Sequence, residues 1–112
     1  MYGRAEPIRM LLNHAGIEFE DVRVDYNDWQ EIKKQSDFRD FFEFGQMPVL
    51  ERNGKFYAQS YAILRMLGKE FGYYPNDPED MWFVDSTIMA EHDLLEAFWD
   101  VTYVFKTDPE HR

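Results

Sequence analysis

Cysteine is absent from the 112-residue sequence. Its absence excludes a Cys-x-x-Cys redox site, a cysteine nucleophile, a thiolate metal site and a disulfide framework. The sequence also lacks an apolar run of about 18 residues and an apolar stretch near its first residue, so we expect a cytoplasmic chain with no membrane partner. Histidine is rare, and His14, His92 and His111 lack the spacing of metal ligands, so no metal is expected.

Basic residues are scarce in the last third of the chain. Residues 77–112 carry 2 Lys/Arg against 10 Asp/Glu, a balance of −8, whereas residues 1–76 carry 10 against 12, a balance of −2. Such a surface repels phosphate backbones, so nucleic acid is not an expected partner. The simplest interpretation of the acidic segment is a solvated helix face, and the alternative is a surface for a protein partner.

The first part of the chain predicts a helix, a strand and a polar connection. Helical spacing of apolar residues predicts a first helix over residues 4–15, ended by Gly16. Its inward residues are Ile8, Leu11, Leu12 and Ala15. Weak alternation predicts a strand over residues 18–24, and its inward residues are Phe19, Val22 and Val24. Residues 25–45 follow as a polar connection, with a short helix or turn over residues 29–34 and four phenylalanines that need cover.

The second part predicts a hairpin and two helices. Asn53-Gly54 is a strong hairpin signal and predicts strands over residues 48–52 and 55–58. Ser60 opens a helix that ends before Gly72, and we expect Ser60 to act as its N-cap as well. Asp77 and Pro78 begin a long helix that extends to about residue 105. Its inward residues are Val84, Ile88, Leu95, Phe98, Thr102 and Phe105.

Two neighbouring features suit one small acidic peptide. Met47-Pro48 stands at the mouth of a strand, where a cis bond would turn the Met47 backbone outward to pair with an extended ligand. An ordinary trans bond at a strand start is the alternative. Ser60 begins a helix whose free N–H groups and positive dipole end attract a carboxylate. Together they predict a site for a peptide that carries a carboxylate.

Four segments follow one another in a recognisable order: residues 3–9 (GRAEPIR), 15–21 (AGIEFED), 44–51 (FGQMPVLE) and 59–63 (QSYAI). They resemble segments of the cytosolic glutathione transferases, and most of all the sigma-like members that use a tyrosine. The first is similar to the segment that begins the family's first helix. The second is similar to the end of that helix and the second strand that follows it. The last two are similar to the family's glutathione motifs, and the whole resemblance covers residues 3–105.

The resemblance implies an α/β fold with two incomplete domains. Residues 1–72 would form a thioredoxin-like domain that lacks its first strand, and residues 73–78 would be a linker. Residues 79–112 would supply the first helix of an all-α domain. The implied co-substrate is glutathione. The implied glutathione-binding residues are Trp29, Lys33, Gln46, Met47, Pro48, Gln59 and Ser60.

By the same resemblance, each part of glutathione has its own contacts. The Met47 backbone would pair with the cysteinyl part, while Gln59 and Ser60 would hold the γ-glutamyl carboxylate. Trp29, Lys33 and Gln46 would lie near the glycine end, with the Lys33 ammonium as a carboxylate partner. The alternative role of Trp29 is packing. About ten residues more than in the family pattern separate Lys33 from Gln46.

Two further residues are candidates for contacts with the ligand. Arg4 is implied to support the glutathione sulfur, and the alternative is an ion pair with a nearby carboxylate. Glu91 is implied to reach the ligand's ammonium group in a neighbouring subunit, and the alternative is a carboxylate on the helix rim.

The family's activating tyrosine has no counterpart in this sequence. That tyrosine hydrogen-bonds to the sulfur and favours the thiolate. In the family it lies near the end of the first strand, about five residues before the glycine that matches Gly3. In this sequence only Met1 and Tyr2 precede Gly3. Tyr2 is out of register, so no catalytic residue is assigned. We expect a chain truncated at both ends, with unpaired strand edges that weaken stability or favour self-association.

Three functions remain open. The resemblance implies binding of glutathione for conjugation to an electrophile, with a detoxifying role, or for isomerisation of a lipid-like substrate. The full-length protein would then be a homodimer. The alternatives are a non-catalytic glutathione-binding or structural member of the family, and a thioredoxin-like interaction domain that uses its acidic helix. The retained glutathione motifs favour the first two functions.

Overall fold

The structure, a computed structural model, describes residues 3–107, with side chains over residues 3–103. The predictions for Tyr2, Phe105 and His111 lie outside these side chains. The described residues form two compact units that divide between Tyr73 and Tyr74, and the predicted domain limits stay predictions. The elements are α1 (Glu6–His14), α2 (Tyr26–Lys33), α3 (Phe38–Phe41), β1 (Val49–Arg52), β2 (Lys55–Ala58), α4 (Ser60–Glu70) and α5 (Pro78–Thr107).

The core of the first unit lies between α1 and α4. Ile8 and Leu12 of α1 are buried, and Ile63 and Leu67 of α4 are each only 1% exposed. The inward face predicted for the first helix is confirmed. Half-buried side chains of the hairpin, α1 and α4 pack around these four: Leu11, Leu50, Tyr57, Leu64, Met66 and Phe71. Burial of this apolar surface fixes α4 against the hairpin and so sets where the first turn of α4 lies.

The predicted hairpin forms in the expected register. β1 and β2 are antiparallel, with Val49 opposite Ala58 and Arg52 opposite Lys55. The connecting residues Asn53 and Gly54 have φ values of 53° and 78°, as the tightest two-residue hairpin turn requires. The sheet therefore brings the start of β1 beside the end of β2, from which α4 begins.

The helix ends also follow the sequence signals. The Ile17 N–H donates to the Leu12 carbonyl at 3.0 Å and the Tyr73 N–H to the Gly68 carbonyl at 2.7 Å, so α1 and α4 both end in a Schellman motif. At the start of α5 a carboxylate oxygen of Asp77 accepts hydrogen bonds from two first-turn N–H groups, at 3.0 and 3.3 Å. The predicted Asp77 cap is confirmed.

The strand predicted over residues 18–24 is wrong. Residues 17–25 are neither helix nor strand, and Val22 is 69% exposed. A strand needs a neighbour that completes its ladder, and the described sheet consists of β1 and β2 alone. The segment is held by charge instead, because the Arg9 Nε donates to Asp21 Oδ1 at 2.9 Å and the Arg23 Nε to Asp21 Oδ2 at 2.9 Å.

Aromatic packing organises the polar connection. Phe38 is buried and stacks on Phe42 at a centroid distance of 5.2 Å, and both meet the Trp29 ring edge-on. Phe41 meets Phe56 of β2 edge-on at 4.9 Å. Three of the four phenylalanines that needed cover thus find aromatic partners. Two of them, Phe38 and Phe41, belong to the short helix α3, which was not predicted, and Phe42 is its C-cap residue.

The second unit consists of α5 and the residues that lead into it. Tyr74 Oη donates to the Asp85 carboxylate at 3.0 Å. Val84, Ile88, Leu95 and Thr102 are half-buried as predicted, but Phe98 is 60% exposed, so its inward prediction is wrong. The described part of this unit has no second helix to cover that side of α5. Over residues 3–107, no helix combines the length and apolarity needed to cross a membrane.

Candidate functional site

A shallow cleft lies in the first unit where the entry to β1, the end of β2 and the start of α4 meet. It encloses about 20 Å³, which is room for about one water molecule. An extended ligand would therefore lie across the cleft rather than inside it. The lining residues are Arg4, Phe44, Gln46, Met47, Pro48, Ala58, Gln59 and Ser60.

One wall of the cleft is the backbone that leads into β1. The Met47-Pro48 peptide bond is cis, as predicted. Met47 is 40% exposed, and the paired register of the hairpin begins only at Val49. The Met47 backbone therefore lies beyond the ladder, where an extended peptide can pair with it.

The opposite wall is the N-terminus of α4. Gln59 is the N-cap residue, with a φ of 71°, and its side chain makes no capping hydrogen bond. The first hydrogen bond of the helix runs from the Ile63 N–H to the Gln59 carbonyl at 3.0 Å. Ser60 is thus the first helical residue, and the expectation that Ser60 is the N-cap is wrong. The cause is the unusual Gln59 backbone, which propensity alone does not predict.

The electrostatics of the cleft favour an anion. Its lining includes one cation, Arg4, and no carboxylate, although the chain carries a net charge of −10. The N-terminal end of α4 adds a partial positive charge to the same place. Elsewhere in this unit, a hydrogen bond from Arg9, and then one from Arg23, lowers the pKa of Asp21.

The cleft brings together five of the seven implied glutathione-binding residues, namely Gln46, Met47, Pro48, Gln59 and Ser60, and adds Arg4. Phe44 and Ala58 also line it and were not predicted as site residues. Only their positions in the sequence could have indicated them, since Phe44 lies two residues before Gln46 and Ala58 lies one residue before Gln59.

Two implied residues do not line the cleft. Trp29 packs edge-on against Phe38 and Phe42, at centroid distances of 5.6 and 5.1 Å. The Lys33 Nζ lies 6.0 Å from the Trp29 ring centroid. Trp29 therefore packs as its alternative role requires. Contacts of Trp29 and Lys33 with a ligand stay predictions. Glu91 lies on α5 in the second unit, and its role stays a prediction too.

The described residues contain no group of three or more acidic, histidine or cysteine side chains arranged to hold a metal ion. The polar groups that line the cleft are backbone groups, two amides, a hydroxyl and a guanidinium.

Comparison with known proteins identifies the family. Residues 1–69 match the family model described as "Glutathione S-transferase, N-terminal domain". The chain belongs to the glutathione S-transferase family. The resemblance seen in the sequence and the predicted fold class, a thioredoxin-like domain followed by a helical one, are confirmed. Members of this family use glutathione as co-substrate.

Individual relatives agree with this assignment. Glutathione S-transferase 2 of Manduca sexta is 44% identical over 101 residues, which are 90% of this chain and 46% of the relative. Hematopoietic prostaglandin D synthase of Gallus gallus is 35% identical over 96 residues, 86% of this chain and 45% of the relative. The crystal structure of monomeric Na-GST-3 from Necator americanus superposes with a TM-score of 0.77 at 33% identity, covering 98% of this chain and 51% of that one. The chain spans about half the length of the curated relatives it matches.

Proposed function

We propose that this chain binds glutathione across the cleft, as the glutathione site of a glutathione S-transferase. The observation that carries the proposal is the meeting of two separate segments, Gln46-Met47-Pro48 and Gln59-Ser60, in one cleft with a cation and no carboxylate. Each segment supplies groups that its own strand or helix does not use.

In the proposed complex the ligand pairs with the backbone on one side and with the helix end on the other. The Met47 backbone hydrogen-bonds to the cysteinyl part of glutathione. The Gln59 amide, the Ser60 hydroxyl and the N–H groups of the first turn of α4 hold the γ-glutamyl carboxylate. Arg4 lies near the sulfur, where its positive charge favours the thiolate.

The remaining assignments complete the ligand. Trp29, Lys33 and Gln46 contact the glycine end, with the Lys33 ammonium paired to the glycine carboxylate. In a homodimer of the whole protein, Glu91 of the neighbouring subunit reaches the γ-glutamyl ammonium. A cytoplasmic location and a detoxifying role belong to the same proposal.

The proposed reaction is conjugation. The glutathione thiolate attacks an electrophilic carbon, a carbon–sulfur bond forms, and the leaving group departs with its electron pair. Glutathione-dependent isomerisation of a lipid-like substrate is the second candidate, because one relative is named hematopoietic prostaglandin D synthase. The cleft supplies the glutathione site for either reaction.

Calorimetric titration of the folded chain with glutathione tests binding. We expect saturable binding heat, and Ser60→Ala should lower the affinity about 10-fold to 150-fold because one hydrogen bond to the charged carboxylate is lost. Ser36→Ala, at an exposed position outside the cleft, is the matched control and leaves affinity unchanged. A chain folded by circular dichroism that gives no heat refutes the proposal.

Two substrate assays then separate the reactions. A chloronitrobenzene-type electrophile reports conjugation, and formation of a prostaglandin D product reports isomerisation. Both assays use the chain and a version extended at its N-terminus with a strand that ends in tyrosine.

A further inference from the structure

Arg39 of α3 lies against the backbone that leads into the cleft. Its Nη1 donates a hydrogen bond to the Glu43 carbonyl at 3.2 Å, and its guanidinium carbon lies 5.7 Å from the Phe38 ring centroid. A Cβ added at Gly45 would meet the same Nη1 at 2.9 Å, closer than real Cβ atoms approach other atoms. The guanidinium therefore occupies the space that a side chain at position 45 would need.

Gly45 is suited to this contact in two ways. Its φ of +67° is one that side-chain-bearing residues rarely adopt, and its N–H donates to the Phe42 carbonyl at 2.9 Å. Residues 42–45 thus form a tight turn held by an internal hydrogen bond and by Arg39. We call this turn, with the Arg39 guanidinium on it, the Arg39 brace.

The brace directly precedes the backbone that the ligand would use. Gln46 and Met47 follow Gly45 in the chain and line the cleft, whereas Arg39 does not line it. Arg39 also lies between Lys33 and Gln46, in the connection that leads to the cleft. A long connection needs an anchor if it is to deliver Gln46 and Met47 to a fixed position.

We propose that Arg39 is a positioning residue for the glutathione site, which fixes the path of the Gln46-Met47 backbone by bracing residues 42–45. The inference rests on the proposed function, since it names the residue that holds one wall of that same cleft. Arg39 acts through the backbone and makes no contact with the ligand.

Hydrogen exchange of the ligand-free chain tests the brace without glutathione. Arg39→Ala is expected to speed exchange of the Gly45 amide, which donates to the Phe42 carbonyl, and to leave exchange in α1 and α4 unchanged. Arg23→Ala is the matched control, because it removes an exposed arginine that is paired with Asp21. Unchanged exchange of the Gly45 amide in Arg39→Ala overturns the proposal.

Calorimetry with glutathione and with γ-glutamylcysteine tests the consequence for binding. Both ligands have the cysteinyl part that pairs with Met47, but γ-glutamylcysteine lacks the glycine carboxylate. We expect Arg39→Ala to weaken γ-glutamylcysteine about threefold to tenfold and glutathione by at least as much, because the glycine end of glutathione also depends on Gln46. Arg39→Lys should recover part of the loss because it keeps a donor for the Glu43 carbonyl.

The outcomes separate the two proposals. A loss confined to glutathione would show that the Met47 backbone keeps its position without Arg39 and would overturn the positioning role. Equal affinities of Arg39→Ala and the unmodified chain would overturn it as well. If the unmodified chain binds neither ligand, the proposed function fails, and with it any role of Arg39 in binding; the exchange rates still decide whether the brace exists.

Discussion

Replacing Gln59 by glycine should stabilise the chain while it weakens glutathione binding. Gln59 has a φ of 71° and a ψ of 106°, a backbone conformation that costs a residue with a Cβ about 1–2 kcal/mol. Glycine removes that cost but adds about 0.5–1 kcal/mol of backbone entropy in the unfolded chain. The net expectation for Gln59→Gly is a gain of about 0.5–1 kcal/mol, or roughly 2–8 °C in Tm for a unit of this size.

The same change removes the side-chain amide from the N-terminus of α4. In the proposed complex this amide donates to the γ-glutamyl carboxylate, and a hydrogen bond to a charged group contributes about 1.5–3 kcal/mol. The affinity for glutathione should fall about 10-fold to 150-fold. Thermal unfolding followed by circular dichroism measures the first effect, and calorimetric titration below the Tm measures the second.

Asn53→Gly is the matched control, because Asn53 also has a positive φ, 53°, but lies in the hairpin turn and not in the cleft. It should leave affinity unchanged and change Tm little, since asparagine tolerates this conformation. If Gln59→Gly lowers the Tm, the argument from backbone strain is wrong. If it keeps full affinity, the amide does not contact the ligand.

Three further substitutions test the fold around the cleft. Leu67→Ala should cost about 2–5 kcal/mol in urea unfolding, because Leu67 is fully buried between α1 and α4. Asp21→Asn should make the free energy of unfolding depend less on pH on the acid side. Hydrogen bonding to Arg9 lowers the pKa of Asp21. The stabilisation by the Asp21 carboxylate is therefore present above the ordinary pKa of 3.8 and is lost as pH falls through the lowered pKa of the folded state. Gly45→Ala should cost about 1–2 kcal/mol in the same urea assay, since φ is positive and the new Cβ meets the Arg39 guanidinium.

Each of these expectations has a result that contradicts it. Leu94→Ala, at a position 72% exposed, should change stability by less than about 0.5 kcal/mol. An equal loss in both leucine variants would contradict the expectation that burial of Leu67 stabilises the fold. An acid limb that Asp21→Asn leaves unchanged would mean that the ion pair does not hold residues 17–25. The cost of Gly45→Ala should shrink in an Arg39→Ala background, and an equal cost there would mean that the two groups do not interact.

Sequence signals predicted the elements whose causes are local. Asn53-Gly54 sets the hairpin register by itself, Asp77 caps α5 by itself, and the apolar residues of α1 and α4 are spaced for one buried face. The strand over residues 18–24 failed because its existence depends on a neighbouring strand, which alternation within the segment does not supply. Phe98 failed for the related reason that burial of a helix face depends on what packs against it.

The same distinction divides the candidate site. Gln46, Met47 and Pro48 lie at the entry to β1, while Gln59 and Ser60 lie at the start of α4, and the hairpin between them fixes their separation. Trp29 and Lys33 depend on the path of residues 34–45, in which aromatic packing and the Arg39 contact decide the outcome. No spacing rule predicts that path, because a long loop has many ways to close.

The two walls of the cleft share a physical property that explains why the sequence could identify them. Met47 stands just before the ladder of β1 begins, and Gln59 just before the first hydrogen bond of α4. At both places the regular structure stops satisfying its own backbone groups, so a ligand with complementary peptide and carboxylate groups can take over. Recognition of this kind constrains the backbone path more than the side chains, since a proline and a helix start are enough to create it. In the proposed complex, specificity for one peptide comes from the few side chains that line the walls, and among them Gln59 has a backbone in a costly conformation.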